Sequence, residues 1–179
     1  MCVRIRALFF LLFQQTKMPS TATSPFTSVH LAADHRGVAL KAALCAHVQE
    51  HHATTLTTIH DHGTNTNTPS VDYPDYAHTV ARCVAREPHA CGILLCHTAN
   101  GMAMTANTHT GVRAGLCWTP DVAALVRQHN DANVLCIPVG FVTDDEACAI
   151  VDAFLTGVFE GGRHARRVAR IDVSTSDSE

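Results

Sequence analysis

Gly92-Ile93-Leu94-Leu95-Cys96-His97-Thr98-Ala99-Asn100-Gly101 is the stretch whose reading decides the fold. A short apolar run bounded by turn residues has the pattern of a strand buried on both faces. The small polar residues after it read as a strand-to-helix connection. Open parallel α/β sheets bind ligands outside the carboxyl ends of their strands. Cys96 therefore stands where a nucleophilic or proton-transferring thiol would act. The plainer alternative is a core cysteine, since free cysteines are among the most buried side chains.

The same alternation continues on both sides of this stretch. Residues 29–33 form an apolar strand, and 38–50 an amphipathic helix with Val38, Leu40, Leu44 and Val48 among its apolar positions. Residues 54–59, rich in β-branched side chains, read as a second strand, and 62–70 as a polar loop. A helix over 76–86 is closed by Pro88. After Cys96 come a short helix at 101–107, a strand at 112–117, a helix from Pro120 to about Gln128 and a strand at 134–139. A helix over 144–155 carries acidic residues in its first turn, as the helix dipole favours. A basic helix begins near Gly162. Strand–helix alternation at this spacing predicts an α/β fold: a three-layer, Rossmann-like parallel sheet of about five strands with helices on both faces.

Composition bounds the function. The 179 residues are enough for one domain, and 46% are hydrophobic. A net charge of -3 argues against a nucleic-acid partner. Cys2, Cys45, Cys83, Cys91, Cys96, Cys117, Cys136 and Cys148 contain no CxxC pair. Most lie in apolar runs, so reduced thiols and a cytoplasmic location are expected. Of the 13 histidines, His51-His52 and His60-Asp61-His62 lack helical i, i+4 spacing and are read as solvated, with no metal site. Residues 1–27 are set apart as an N-terminal extension. Their apolar run, 7–13, is too short to cross a membrane, and Met18 and a Ser/Thr/Pro stretch follow it. Targeting by residues 1–17 stays open. The domain is expected over 28–171, with a polar tail over 172–179.

Polar side chains fall at strand and helix ends. Asp34-His35 follows the first strand, and Asp72-Tyr73-Pro74 precedes the second helix. Thr98 follows Cys96, and His129-Asn130-Asp131 ends the fourth helix. Each has an ordinary alternative: Asp34 as a helix cap, Tyr73 as packing, His129 as a cation at a helix C-terminus. Arg163 and Arg167, at i, i+4, form either a phosphate clamp or a solvated basic face.

Several stretches together resemble the type B ribose-5-phosphate isomerases. They are Ala33-Asp34-His35, Ser70-Val71-Asp72-Tyr73-Pro74-Asp75-Tyr76-Ala77, Gly92 to Cys96, Gln128-His129-Asn130-Asp131-Ala132-Asn133-Val134-Leu135 and Phe159-Glu160-Gly161-Gly162-Arg163-His164. The resemblance spans roughly residues 29–171; the wider family includes the galactose-6-phosphate isomerase subunits. It implies a cofactor-free, metal-free aldose–ketose isomerase acting on a phosphorylated sugar through an enediolate. Cys96 matches the base. Thr98 matches a residue that assists ring opening or holds a sugar oxygen, and His129 the group that protonates the ring oxygen. Asp34 and Tyr73 match sugar-binding positions; His35, Arg163 and Arg167 match phosphate-binding positions. Asp72, His97, Ala99, Asn100, Gly101 and Asn130 complete the implied substrate-binding set. The resemblance further implies a homodimer with the site shared between subunits, or a tetramer, and no membrane partner.

Three positions depart from the family's pattern. The turn after the cysteine is usually Gly-Thr/Ser-Gly-x-Gly, but here His97 and Ala99 replace two glycines. If those positions need positive φ, both are expected to strain the oxyanion turn. Gly140 stands where a phosphate-binding arginine is usual, and Thr108 where lysine is usual. The competing expectation is a sugar-phosphate-binding homologue with altered substrate or no turnover.

Overall fold

The computed structural model describes residues 24–172. In chain order the elements are β1 (Ser28–Ala33), α1 (Val38–His51), β2 (Thr58–Asp61), α2 (Tyr73–Arg86), β3 (Ala90–Cys96) and α3 (Asn100–Ala106). They continue with β4 (Ala114–Leu116), α4 (Pro120–Asn130), β5 (Val134–Pro138), α5 (Asp144–Thr156) and α6 (Arg163–Val168). All strand pairs are parallel, in the order β2-β1-β3-β5-β4. This is the expected three-layer α/β architecture.

β3 lies at the centre, and all seven of its residues are buried. Its side chains alternate between two cores, as strand geometry requires. Cys91, Ile93 and Leu95 face a layer holding Leu44 and Val48 of α1 and Ile150 and Phe154 of α5. Leu94 and Cys96 face Val80 and Val84 of α2 and Met102 of α3. The register Cys96↔Pro138 brings the ends of β3 and β5 level, so the turns after both strands meet at one edge of the sheet.

Several boundaries differ from the sequence reading. β2 covers Thr58–Asp61 rather than 54–59, because Thr55 and Leu56 donate backbone hydrogen bonds to His52 O and extend the turn after α1. α2 begins at Tyr73 with Pro74 in its first turn, where a missing N–H costs nothing. β4 is shorter than read because Val112 N–H bonds back to His109 O. Phe26, ahead of the reading's start at residue 28, is buried and stacked on Phe154 with ring centroids 5.8 Å apart. The Arg127 guanidinium caps that stack 4.8 Å from the Phe26 ring centroid. Burying such a ring contributes about 1.5–3 kcal/mol. The readings on residues 1–23 and 173–179 lie outside the described residues.

The histidine pairs also divide differently. His51 and His60 are exposed as expected, but His52 is buried and His62 half-buried. His52 Nε2 meets Asp152 Oδ1 at 2.7 Å, and the His62 ring meets buried His30. Their polar partners lie 100 and 32 positions away in sequence, beyond any local pattern.

Candidate active site

Cys96 ends β3 and is 6% exposed. Its Sγ accepts a hydrogen bond from the Ala99 N–H at 3.1 Å. Burial pushes the thiol pKa up, and the nearby Asp34 carboxylate pushes it the same way. The N–H groups of Ala99, Met102 and Thr98 pull it back toward the thiolate. The backbone of the 97–102 turn thus favours negative charge at this point.

The turn bears out one expected strain and removes another. Ala99 has φ 58° and is fully buried. A non-glycine residue in this region costs about 1–2 kcal/mol. His97 is not among the positive-φ residues, so its backbone carries no such penalty. Its exposed imidazole lies over Gly140, where a Cβ would overlap the ring, and 5.6 Å from the Phe141 ring centroid.

Neighbouring loops close around the thiol. Asp34 is buried beyond β1; its N–H donates to Leu95 O at 3.1 Å, and its Oδ1 accepts from Arg36 N–H at 2.9 Å. Asp34 caps no helix: Gly37 occupies the N-cap of α1. His35 Nδ1 accepts from Val71 N–H at 3.3 Å, tying the loop before α2 to the site. Asp72 is exposed at the N-cap of α2 and makes no side-chain cap bond. The Tyr73 ring lies against Gly101, where any Cβ would overlap it. Thr98 and Asn100 are exposed beside the thiol turn. Asp34, His35, Asp72, Tyr73, Cys96, His97, Thr98, Ala99, Asn100 and Gly101 therefore share the carboxyl edge of the sheet.

His129, Asn130, Arg163 and Arg167 do not join them within the chain. α4 returns antiparallel to the strands, so His129 and Asn130 lie just before Val134, at the amino edge of β5. Five residues of β5 at ~3.3 Å each separate that edge from the Cys96 edge by roughly 15 Å. There, His129 stacks on His164 with centroids 4.3 Å apart and planes 1° apart. Glu160 Oε2 lies 3.9 Å from His129 Nε2 and 3.7 Å from His164 Nε2. Desolvation, His129 and Arg163 hold the His164 pKa below its ordinary value. A cleft of about 310 Å³ is lined by His129, Asn130, His164, Arg167, Val168 and Ile171. Arg163 lies beside it, with Nε 3.2 Å from His164 Nε2. A larger cleft of about 490 Å³ adjoins through Asn130 and Ile171 and includes Thr108 and Arg113. Neither cleft reaches Cys96.

The sequence reading missed His164, Glu160 and Lys41. The first two lie in the quoted stretch 159–164, but nothing local shows that they face His129. Lys41, on α1, is buried and paired with Asp61, and donates to Asn65 Oδ1 at 2.7 Å, anchoring the loop that carries the His35 partners. The seven described cysteines are unpaired. No helix among the described residues is long and apolar enough to cross a membrane.

The sequence pattern of the Ribose/Galactose Isomerase family matches residues 29–171. The chain is 42% identical over 138 residues to the ribose-5-phosphate isomerase B of Escherichia coli K12, covering 77% of this chain and 89% of that protein. The ribose 5-phosphate isomerase B structure from Anaplasma phagocytophilum superposes with a TM-score of 0.77 at 39% identity, covering 84% and 99% of the two chains. The enzyme from Mycoplasma genitalium, solved with bound ribulose-5-phosphate, superposes at 0.75 with 41% identity, covering 80% and 93%.

Proposed function

This chain belongs to the ribose/galactose isomerase family, and we propose that it interconverts ribose 5-phosphate and ribulose 5-phosphate with Cys96 as the proton-transfer group. The observation that carries the reading is the Cys96 thiol at the end of the central strand, under backbone N–H donors and beside Asp34. Starting from the aldose, the Cys96 thiolate removes the C2 proton of the open-chain sugar. Charge passes to the carbonyl oxygen, giving an enediolate that the N–H groups of the 97–102 turn stabilise. The thiol returns its proton to C1, while a proton shifts from O2 to O1. Tyr73, leaning on Gly101, and Asp34 bound the space for the sugar hydroxyls. The raised thiol pKa makes the thiolate a minority form at neutral pH, with high intrinsic basicity for a carbon acid.

His129, Arg167 and Arg163 take part only if a second copy supplies them. Isologous pairing would bring the amino edge of one subunit to the carboxyl edge of its partner, making two equivalent sites. His129 would then protonate the ring oxygen during opening, and the arginines would hold the phosphate with His35. The separation of the two residue sets by the length of β5 supports this homodimer. The seven described cysteines, set in apolar surroundings and unpaired, support a reducing compartment, and with it the cytoplasm.

Co-expression of Cys96→Ala with His129→Ala tests the arrangement. Each variant alone is expected to be inactive or nearly so. Mixed dimers carry one site with both groups intact, so random pairing should restore about a quarter of wild-type activity. Absence of rescue in verified mixed dimers would place both groups in a single-chain site or remove one from the mechanism.

A further inference from the structure

A second cluster of reactive side chains lies on the α2 face of the sheet, outside the isomerase site. The parallel register pairs His30 of β1 with His60 of β2, and His62 follows two residues on, so all three rings share one face. His30 is buried, and its Nδ1 lies 2.9 Å from His62 Nε2. Cys83 and Glu87 project from the last turns of α2, at i, i+4. The ligand atoms of His30, His62 and Cys83 all lie within 4.8 Å of one another. The other nitrogen of His30, Nε2, faces Glu87 Oε2 at 3.1 Å.

We propose that His30, His62 and Cys83 bind a zinc ion that clasps α2 to β1 and the edge strand β2. Two imidazoles and a thiolate are a zinc donor set, with a fourth position left for water. Tetrahedral zinc at about 2.0–2.1 Å from nitrogen and 2.3 Å from sulfur needs donor separations of about 3.3–3.6 Å. Small side-chain rotations bring the three atoms to that spacing. Glu87 supplies the carboxylate that fixes a metal-bound imidazole: it accepts the Nε2–H of His30 and leaves Nδ1 free to ligate. Neutral imidazole is the form that binds metal. Binding releases the Cys83 thiol proton to solvent and moves the His62 proton from Nε2 to Nδ1. Exposed His60 and Glu87 mark the entry side.

Two other histidine clusters differ in kind. His129, Glu160 and His164 belong to the half-site described above. His47 and His52 both direct Nε2 to one oxygen of Asp152 at 2.7 Å, a set already satisfied by hydrogen bonds. Neither includes a thiol.

Cobalt(II) separates the three. Titration of metal-free, reduced full-length protein with Co2+ should produce one equivalent of a near-ultraviolet thiolate-to-cobalt charge-transfer band, displaced by Zn2+. Cys83→Ala should abolish the band while retaining isomerase activity, which also reports its folding. Glu87→Gln, at an exposed position, should weaken Zn2+ binding about 10–100-fold. The proposal is overturned if no thiolate band forms, if it survives in Cys83→Ala, or if Glu87→Gln binds Zn2+ as tightly as wild type.

Discussion

The His97 imidazole fills the space into which any side chain at Gly140 would grow. The two residues are also joined through backbone: Gly140 N–H donates to His97 O at 3.0 Å. The bulky residue in the thiol turn and the missing side chain after β5 are therefore one structural substitution. Restoring an arginine at 140 by itself would displace the His97 ring. Gly140→Arg is expected to raise KM for ribose 5-phosphate, while His97→Gly with Gly140→Arg lowers it below the single variant. Residues in contact typically couple by about 0.5–3 kcal/mol. Strict additivity of the two changes in a double-mutant cycle on kcat/KM would show that the residues act independently.

Ala99 holds a backbone conformation that favours glycine, at φ 58°. Ala99→Gly removes the Cβ clash, partly offset by the greater freedom of glycine in the unfolded chain. A net gain of about 0.5–1 kcal/mol should raise Tm by about 1–4 °C for a chain of this size. A thermal melt in which Tm falls would mean that the buried Ala99 methyl contributes more through packing than its φ costs.

Thiol ionisation sets the pH response. Burial and Asp34 both raise the Cys96 pKa, so the reactive thiolate grows as pH rises through and above the ordinary thiol range. kcat/KM should climb over that interval. Asp34→Asn removes a negative neighbour and shifts the alkylation profile of Cys96 to lower pH. Iodoacetamide labelling followed by mass spectrometry of the Cys96 peptide measures this without turnover. A profile unmoved by Asp34→Asn would remove Asp34 as a cause of the raised pKa.

His129 is assigned to ring opening, a step the open-chain ketose does not need. His129→Ala should lower kcat on ribose 5-phosphate by roughly 10²-fold or more, the usual contribution of a general acid. Solvent deuterium uptake into ribulose 5-phosphate should fall much less. Equal losses in the two assays would point to a structural role, through the His164 stack and Glu160.

Cys91 separates position from residue type. It lies on the same strand as Cys96, faces the opposite core and is fully buried; burial drives its thiol pKa far up. Cys91→Ala should leave kcat within about twofold and cost stability of order 1 kcal/mol, the scale of one small deleted core group. Loss of turnover comparable to Cys96→Ala, with the fold intact by circular dichroism, would defeat the assignment of the base by strand end.

Sequence by itself determined the elements and half of the site. The continuous apolar run at residues 92–96 and the helical spacing around it are local signals, and parallel topology follows from the strand–helix alternation. That topology puts Asp34, Tyr73 and Cys96 on one edge, because each follows a strand or opens the helix leading back from that edge. Only the tertiary structure decided the rest. It placed His129 and Arg167 across the sheet from Cys96, since a helix that returns to start the next strand carries its C-terminus to the other edge. It paired His97 with Gly140, and gathered His30, His62 and Cys83 from two strands and a helix. These are contacts between segments about 20 or more residues apart, set by strand order and register, and no local pattern in the chain encodes them.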